Sequence, residues 1–169
     1  VSALGGTTAT AVGAVDQAEA AAGYYTVDSN DAAKDGGASD VEPCAAGYYS
    51  AAGATVCTQV TAGHFAEDGS GNSVNTAAVD EEPCAAGYYS AAGATVCTQV
   101  TAGYRATKGA GDDATSAAIA QEICTVGTFS AAGATTCTTA QLGYYTVDGS
   151  NNALADPWQG AVSEAQAGE

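Results

Sequence analysis

Residues 84–102 repeat residues 44–62 without a change, and residues 124–137 give a looser third copy, so the chain is written with a period of 40. A period of this length is the signature of stacked units, each too small to bury a core alone. A glycine followed by a mostly aromatic pair marks the period twice per copy, at Gly23, Gly47, Gly63, Gly87, Gly103, Gly127 and Gly143, with spacings alternating between 24 and 16. Each repeat therefore has a longer and a shorter half. Shifting by 40 assigns 1–40 as an N-terminal repeat without cysteines, in which Leu4 and Gln17 stand where Cys44 and Cys57 do in the next copy. Residues 41–80, 81–120 and 121–160 follow as full repeats, and 161–169 is a C-terminal tail in phase with residue 1.

Something other than burial must hold these units. The chain has 41 Ala but only 21 Val, Leu, Ile and Phe together, and 19 acidic residues against 3 basic give a net charge of −16. That composition alone predicts disorder. Six cysteines supply the alternative, and although they allow 15 pairings, the register favours Cys44–Cys57, Cys84–Cys97 and Cys124–Cys137. Pairing Cys57 with Cys84 and Cys97 with Cys124 would strand the outer two thiols. Each local bond closes a loop of about 14 residues, which restricts the unfolded chain by about 3 kcal/mol. Such bonds imply an oxidising, extracellular setting. Zinc does not fit, since there is no Cys-x-x-Cys and His64 is the single histidine.

The same charge excludes nucleic acid and anionic membranes as partners, because three cations neutralise too few phosphates. No apolar run approaches the roughly 20 residues of a membrane helix, so no membrane insertion is expected. The lack of a leading Met or signal segment reads as a processed product or fragment.

Cys124-Thr-Val-Gly-Thr-Phe-Ser130 followed by Gly133-Ala-Thr-Thr-Cys137 resembles the ephrin-receptor-like cysteine-rich repeat, which is also abundant in surface antigens of ciliates and other protists. The family pattern runs Cys-Pro-x-Gly-Thr-Tyr-Ser, then Gly-Ala-Thr, then Cys-x-x-Cys. Val60, Val100 and Ala140 stand where its second Cys-x-x-Cys cysteine would be, and Val41, Glu81 and Gln121 where a cysteine would precede Cys44, Cys84 and Cys124. Those positions bracket the longer half, so cysteines are lost in pairs, which agrees with local connectivity. The resemblance implies an extracellular, disulfide-stapled module of adhesive, antigenic or receptor ectodomains, and brings no catalytic residues with it.

The expected fold is mainly β: a linear, solenoid-like array of four disulfide-stapled β-hairpin repeats with little helix. In the shorter half, Tyr-Tyr-Ser and Thr-Val-Cys-Thr-Gln-Val read as two strands around a glycine-containing turn. The longer half starts with a strand and then reads as irregular up to the next Cys. Residues 112–123 read as a helical turn or two, with Ile119 and Ile123 four apart on one face. Strand neighbours face opposite ways, so one member of each aromatic pair points inward. The second position (Tyr25, Tyr49, Phe65, Tyr89, Phe129, Tyr145) reads as core. The first position (Tyr24, Tyr48, Tyr88, Tyr104, Tyr144) then forms an outward stripe for subunit packing or for stacking on sugar rings, unless these rings pack under the longer loops.

Oxygen-rich turns recur at one phase, as Asp28 and Asn30, as Asp68, Ser70 and Asn72, and as Asp148, Ser150 and Asn152. They are Ca²⁺ candidates by ligand chemistry and plain turns by dipeptide chemistry; no closing Glu completes a loop, and Lys108 interrupts the series. Every Asn lacks a following x-Ser/Thr, which excludes N-glycosylation, while 20 Thr and 11 Ser leave O-glycosylation open. No nucleophile, base or phosphate-binding motif supports an enzyme, and no cofactor other than Ca²⁺ is suggested. The expectation is thus an extracellular structural protein polymerising head to tail, segment 161–169 meeting 1–20 of the next copy with Trp158 as anchor. A surface-antigen, adhesive or receptor-ectodomain module that contacts carbohydrate or protein is the alternative.

Overall fold

A computed structural model describes residues 19–27, 40–109, 111–148, 150, 153 and 160–166. Within them every regular element is a strand. Strand β1 (Tyr24–Val27) pairs with β2 (Asp40–Pro43), and β3 (Tyr48–Tyr49) with β4 (Thr58–Gln59). The next period repeats this as β5 (His64–Glu67) with β6 (Asp80–Pro83), and β7 (Tyr88–Tyr89) with β8 (Thr98–Gln99). The third gives β9 (Tyr104–Thr107) with β10 (Ala120–Ile123), and β11 (Thr128–Phe129) with β12 (Thr138–Thr139). Finally β13 (Tyr144–Val147) pairs with β14 (Ser163–Gln166). Tyr, Phe, Val and Thr favour the pleated backbone of these strands.

The hairpins are repeated and disulfide-stapled as expected, but they do not merge into a solenoid. Each is a separate two-stranded antiparallel sheet, seven in all among the described residues. Only single bridges, such as Tyr49 with Ala78 and Tyr89 with Ala118, reach from one hairpin to another. The disulfides join Cys44 to Cys57, Cys84 to Cys97 and Cys124 to Cys137, with Cα atoms 5.7, 5.8 and 5.7 Å apart. Each ties the end of a long hairpin to the returning strand of the following short one.

Three sequence expectations change. The longer half is a complete hairpin, since β2, β6 and β10 form where an irregular segment was expected. The helical reading of 112–123 fails: Asp113 bridges Thr107, Ile119 N–H donates to Thr107 O at 3.0 Å, and residues 120–123 are strand. Its apolar i, i+4 pair arises because Ile119 immediately precedes the strand that Ile123 ends. The tail is not a separate segment up to residue 166, because β14 closes the last long hairpin. Ser73, Asp113 and Ala153 keep the period of 40, whereas Ala78, Ala118 and Ala161 do not, the last step being 43. Three residues are therefore inserted after Ala153, and residue 161 is out of phase with residue 1. Residues 1–18 and Trp158 lie outside the described residues.

The core is built from small side chains. Val27, Val60, Val100, Val147, Cys44 and Cys84 are the largest fully buried residues, accompanied by Ala66, Ala78, Ala106, Ala114 and Ala118. One cluster joins Val60, Ala66 and Ala78 under Tyr49 and Val74; the next joins Val100, Ala106, Ala114 and Ala118 under Tyr89 and Tyr104. Each cluster thus spans a short hairpin and the long hairpin after it.

Backbone bonds supply the rest of the stacking. Gly23 N–H donates to Ser50 O at 2.8 Å, Thr26 N–H to Ala54 O at 3.1 Å, and Gly53 N–H to Ala20 O at 2.7 Å. The buried Ser50 hydroxyl donates to Tyr24 O at 2.8 Å. The same set recurs at Gly63, Ala66, Gly93 and Ser90, and at Gly103, Ala106, Gly133 and Ser130. Equivalent hairpins also touch across a whole period. A Cβ on Gly87 would lie 2.8 Å from the carbonyl carbon and 2.9 Å from the Cα of Gly133, whereas a Cβ on Gly127 would meet nothing within 4 Å. Both glycines sit in the same left-handed turn, with φ of +80° and +77°.

Gly87→Ala and Gly127→Ala should therefore separate turn strain from stacking. Both incur the left-handed penalty of about 1–2 kcal/mol, and Gly87→Ala alone adds an overlap of roughly 1–3 kcal/mol. Urea midpoints of the oxidised protein would check this, with Gly87→Ala expected to be clearly the less stable.

Candidate functional site

The aromatic stripe resolves into two kinds of position. In the short hairpins the second aromatic, Tyr49 or Tyr89, packs on the core while Tyr48 and Tyr88 are 38% exposed. In the long hairpin the parity inverts: Tyr104 packs with Ala106 on the cluster, and the second position, Arg105, faces Glu122 across the ladder. Alternation along a strand lets only one ring of each pair face the shared cluster, and the facing position differs between the two hairpin types. Tyr24 is half-buried, while Tyr144 and Tyr145 are both exposed. Tyr49 also lies near Glu81 and Asp80; burial first, then these carboxylates, raises its phenol pKa.

Two grooves recur one period apart. The first, about 400 Å³, is lined by Tyr25, Glu42, Pro43, Tyr48, Val56 and Cys57, and the Tyr25 hydroxyl donates to Glu42 Oε2 at 2.9 Å. The second, about 300 Å³, is lined by Phe65, Gly71, Ser73, Tyr88, Val96 and Cys97. Val56 and Val96, 61% and 58% exposed, add apolar lining to the two grooves. Each groove thus lies between a second-position aromatic of a long hairpin and a first-position tyrosine of the next short one.

The third repeat carries Arg105 at the phase of Tyr25 and Phe65. Its guanidinium donates to Asp113 Oδ1, to Gly111 O at 3.0 Å and to Glu122 Oε2 at 2.9 Å. Burial works against the charged guanidinium, but the bonds and charges of Asp113 and Glu122 outweigh it and raise its pKa. His64 shares Nδ1 with the Thr61 hydroxyl at 3.0 Å, and Thr61 donates onward to Glu81 Oε1 at 2.9 Å.

The calcium candidates divide. Asp28, Asn30 and Asn152 lie outside the described residues. In the second repeat, Asp68 Oδ1 accepts from Ser70 N–H at 2.9 Å and Asn72 N–H at 3.2 Å, while Oδ2 accepts from Asn72 Nδ2 at 3.0 Å. Asp148 Oδ1 takes Ser150 N–H at 2.8 Å in the same way. These carboxylates are acceptors within their own turns. Beside them, Glu67 is only 6% exposed, and its Oε2 accepts from Gly69 N–H at 2.6 Å and Gly71 N–H at 2.8 Å. Among the described residues, no three or more His, Cys, Asp or Glu side chains converge as a metal site.

Sequence reasoning missed Ser50, Ser90 and Ser130, whose buried hydroxyls bridge consecutive hairpins. Their signal was present, since a serine follows the aromatic pair in every cysteine-bearing short half. It also missed the edge formed by Leu142, Gly143, Tyr144 and Tyr145. There Gly143 is exposed although its counterparts Gly23, Gly63 and Gly103 are buried. Among the described residues, Ala140 O, Gly143 N–H, Tyr144 O and Thr146 N–H lack the partners that a following short hairpin gives their counterparts.

No protein-family model and no curated protein matches the chain. The disulfides place it in an oxidising environment, and among the described residues no helix is long and apolar enough to cross a membrane.

The Asp68 turn gives a pH test. The Asn72 side chain, followed by the Ser70 amide, holds the Asp68 carboxyl below its ordinary value of about 4. A depressed folded pKa means that the turn's stabilisation is present above the unfolded value and is lost as pH falls through the lower folded one. Amide shifts of Ser70 and Asn72, followed by NMR, should show an acid transition whose midpoint lies below that of an ordinary Asp carboxyl. Asp68→Asn should abolish that acid transition.

Proposed function

We propose that this is an extracellular structural repeat protein whose copies stack head to tail into a filament or surface coat. One observation carries the reading: the bonds that join successive hairpins are made by main chain and a serine hydroxyl and recur every period, so a further copy can be added through the same contacts. Gly127 and Gly143 have no atom within 4 Å of a Cβ position, although their counterparts Gly47, Gly87, Gly23, Gly63 and Gly103 are all blocked by backbone. Leu142 is fully exposed beside them.

By sequence register, residues 4–17 of a second copy are the segment that we place against Leu142–Tyr145. Shifted by one period, Thr10, Gly13 and Ala14 fall where Ser50, Gly53 and Ala54 make the stacking bonds. That segment brings a hydroxyl donor, a glycine amide and an alanine carbonyl in the same order. A contact joining one end to the other end of the next copy does not close on itself, and so builds fibres. A charge of −16 per chain opposes this association, and salt screens that repulsion. Secretion to the cell exterior accords with the disulfides. A second reading, an adhesive, surface-antigen or receptor-ectodomain module, is supported by the two aromatic-lined grooves.

Electron microscopy and sedimentation of the oxidised chain should show rods that lengthen with protein concentration and with salt. Leu142→Asp, at an exposed position, should leave thermal melting unchanged while cutting growth at least about tenfold, because it sets a charge in an apolar contact. Monomers at every concentration and salt level would overturn end-to-end stacking and favour the binding module. Rods that grow equally well from Leu142→Asp would remove this edge from the contact.

A further inference from the structure

The long hairpins of the second and third repeats differ at one place, and the difference describes a ligand. In the third repeat the guanidinium of Arg105 is held by Gly111 O, Asp113 and Glu122. In the second repeat those positions are Gly71, Ser73 and Glu82, and Phe65 replaces the arginine. Gly71 and Ser73 line the groove of about 300 Å³ that opens beside Phe65 and Tyr88. A Cβ on Gly111 would meet Arg105 Nη2 at 3.9 Å, whereas one on Gly71 would meet nothing within 4 Å. The space that the third repeat fills with its own cation is open in the second.

We propose that the groove of the second repeat binds the guanidinium of an arginine side chain from another protein. The groove is lined by Gly71 and Ser73, which bring a carbonyl and a hydroxyl, and by Phe65 and Tyr88, whose rings can attract a cation through the ring quadrupole. Exposed Glu82, opposite Phe65 on the ladder, is the counterpart of the carboxylate that takes Arg105. The buried Glu67 carboxylate lies directly beneath the loop, bonded to Gly71 N–H; the third repeat has Thr107 there, so the second-repeat loop is the more negative of the two. Guanidinium suits this site better than ammonium because its planar fork reaches carbonyl, hydroxyl and carboxylate together while stacking on a ring. This chain cannot readily supply the ligand, since Arg105 is its single arginine and is engaged in its own loop. The partner is therefore a different, basic protein, drawn by a net charge of −16. The inference is independent of end-to-end stacking.

The test titrates Nα-acetyl-arginine amide into the oxidised full chain in dilute, low-salt solution and follows the ring protons of Phe65 and Tyr88 by NMR. Saturable shifts that weaken with added salt are expected, the opposite salt dependence to assembly. The uncharged isostere Nα-acetyl-citrulline amide should bind at least about fivefold more weakly. Phe65→Arg with Ser73→Asp rebuilds the third-repeat arrangement, so it should fold with its disulfides intact and lose at least about tenfold in affinity. Absence of saturation by the arginine probe, equal binding of citrulline, or full binding by the double variant would each overturn the proposal. Shifts produced by a methyl glycoside but not by the arginine probe would overturn it in favour of a sugar site.

Discussion

Everything in this architecture depends on how closely one backbone can approach another. Hairpins whose strands have only two or four residues bury too little side chain to stand alone, so neighbours meet through main chain. The glycine before each aromatic pair lets the Cα of one hairpin lie against a carbonyl one period further on, and at Gly47, Gly87, Gly23, Gly63 and Gly103 a Cβ would overlap that backbone. The approach brings amides and carbonyls of adjacent hairpins into hydrogen-bond range, and a buried serine hydroxyl closes each junction. Large side chains would hold the backbones apart. The alanine-rich composition that looks too poor for a core is thus the condition for this stacking, and the disulfides supply the constraint that side-chain burial does not.

The repeat made much of this legible. Period, unequal halves, short hairpins and disulfide connectivity could all be read because they depend on local spacing. What could not be read depends on relations between units. The inward member of an aromatic pair differs between the short and the long hairpin around the shared cluster, so Tyr89 and Tyr104 pack on it from different positions of the same motif. Ile119 and Ile123 suggested a helix because four-residue spacing also arises where a loop residue precedes a strand. The three-residue insertion before Ala161 escaped notice because residues 154–159 have little likeness to the earlier loops. Asp68 illustrates the same limit for sites: its position in an oxygen-rich turn was visible, but its engagement by Ser70 and Asn72 was not.

Near-identical copies sort residues by task. The positions that hardly vary between the second and third repeats carry the stacking: Gly63 and Gly103, Ser90 and Ser130, Cys84 and Cys124, Ala66 and Ala106, Ala78 and Ala118. Among the positions that differ, Phe65 against Arg105 and Ser73 against Asp113 lie on the outer face, while Glu67 against Thr107 is buried. These outer changes are coupled. An arginine in place of Phe65 demands carboxylates, and Asp113 joins Glu122 to provide them; a phenylalanine releases Ser73 from that role. The loop in the second repeat instead stores its charge inward, on Glu67, where two glycine amides satisfy it. Because the stacking bonds are made by main chain and a few small residues, the outer face can change from self-neutralised to anionic and aromatic without disturbing the array. Such a scaffold can present different surfaces along one axis while every junction stays the same.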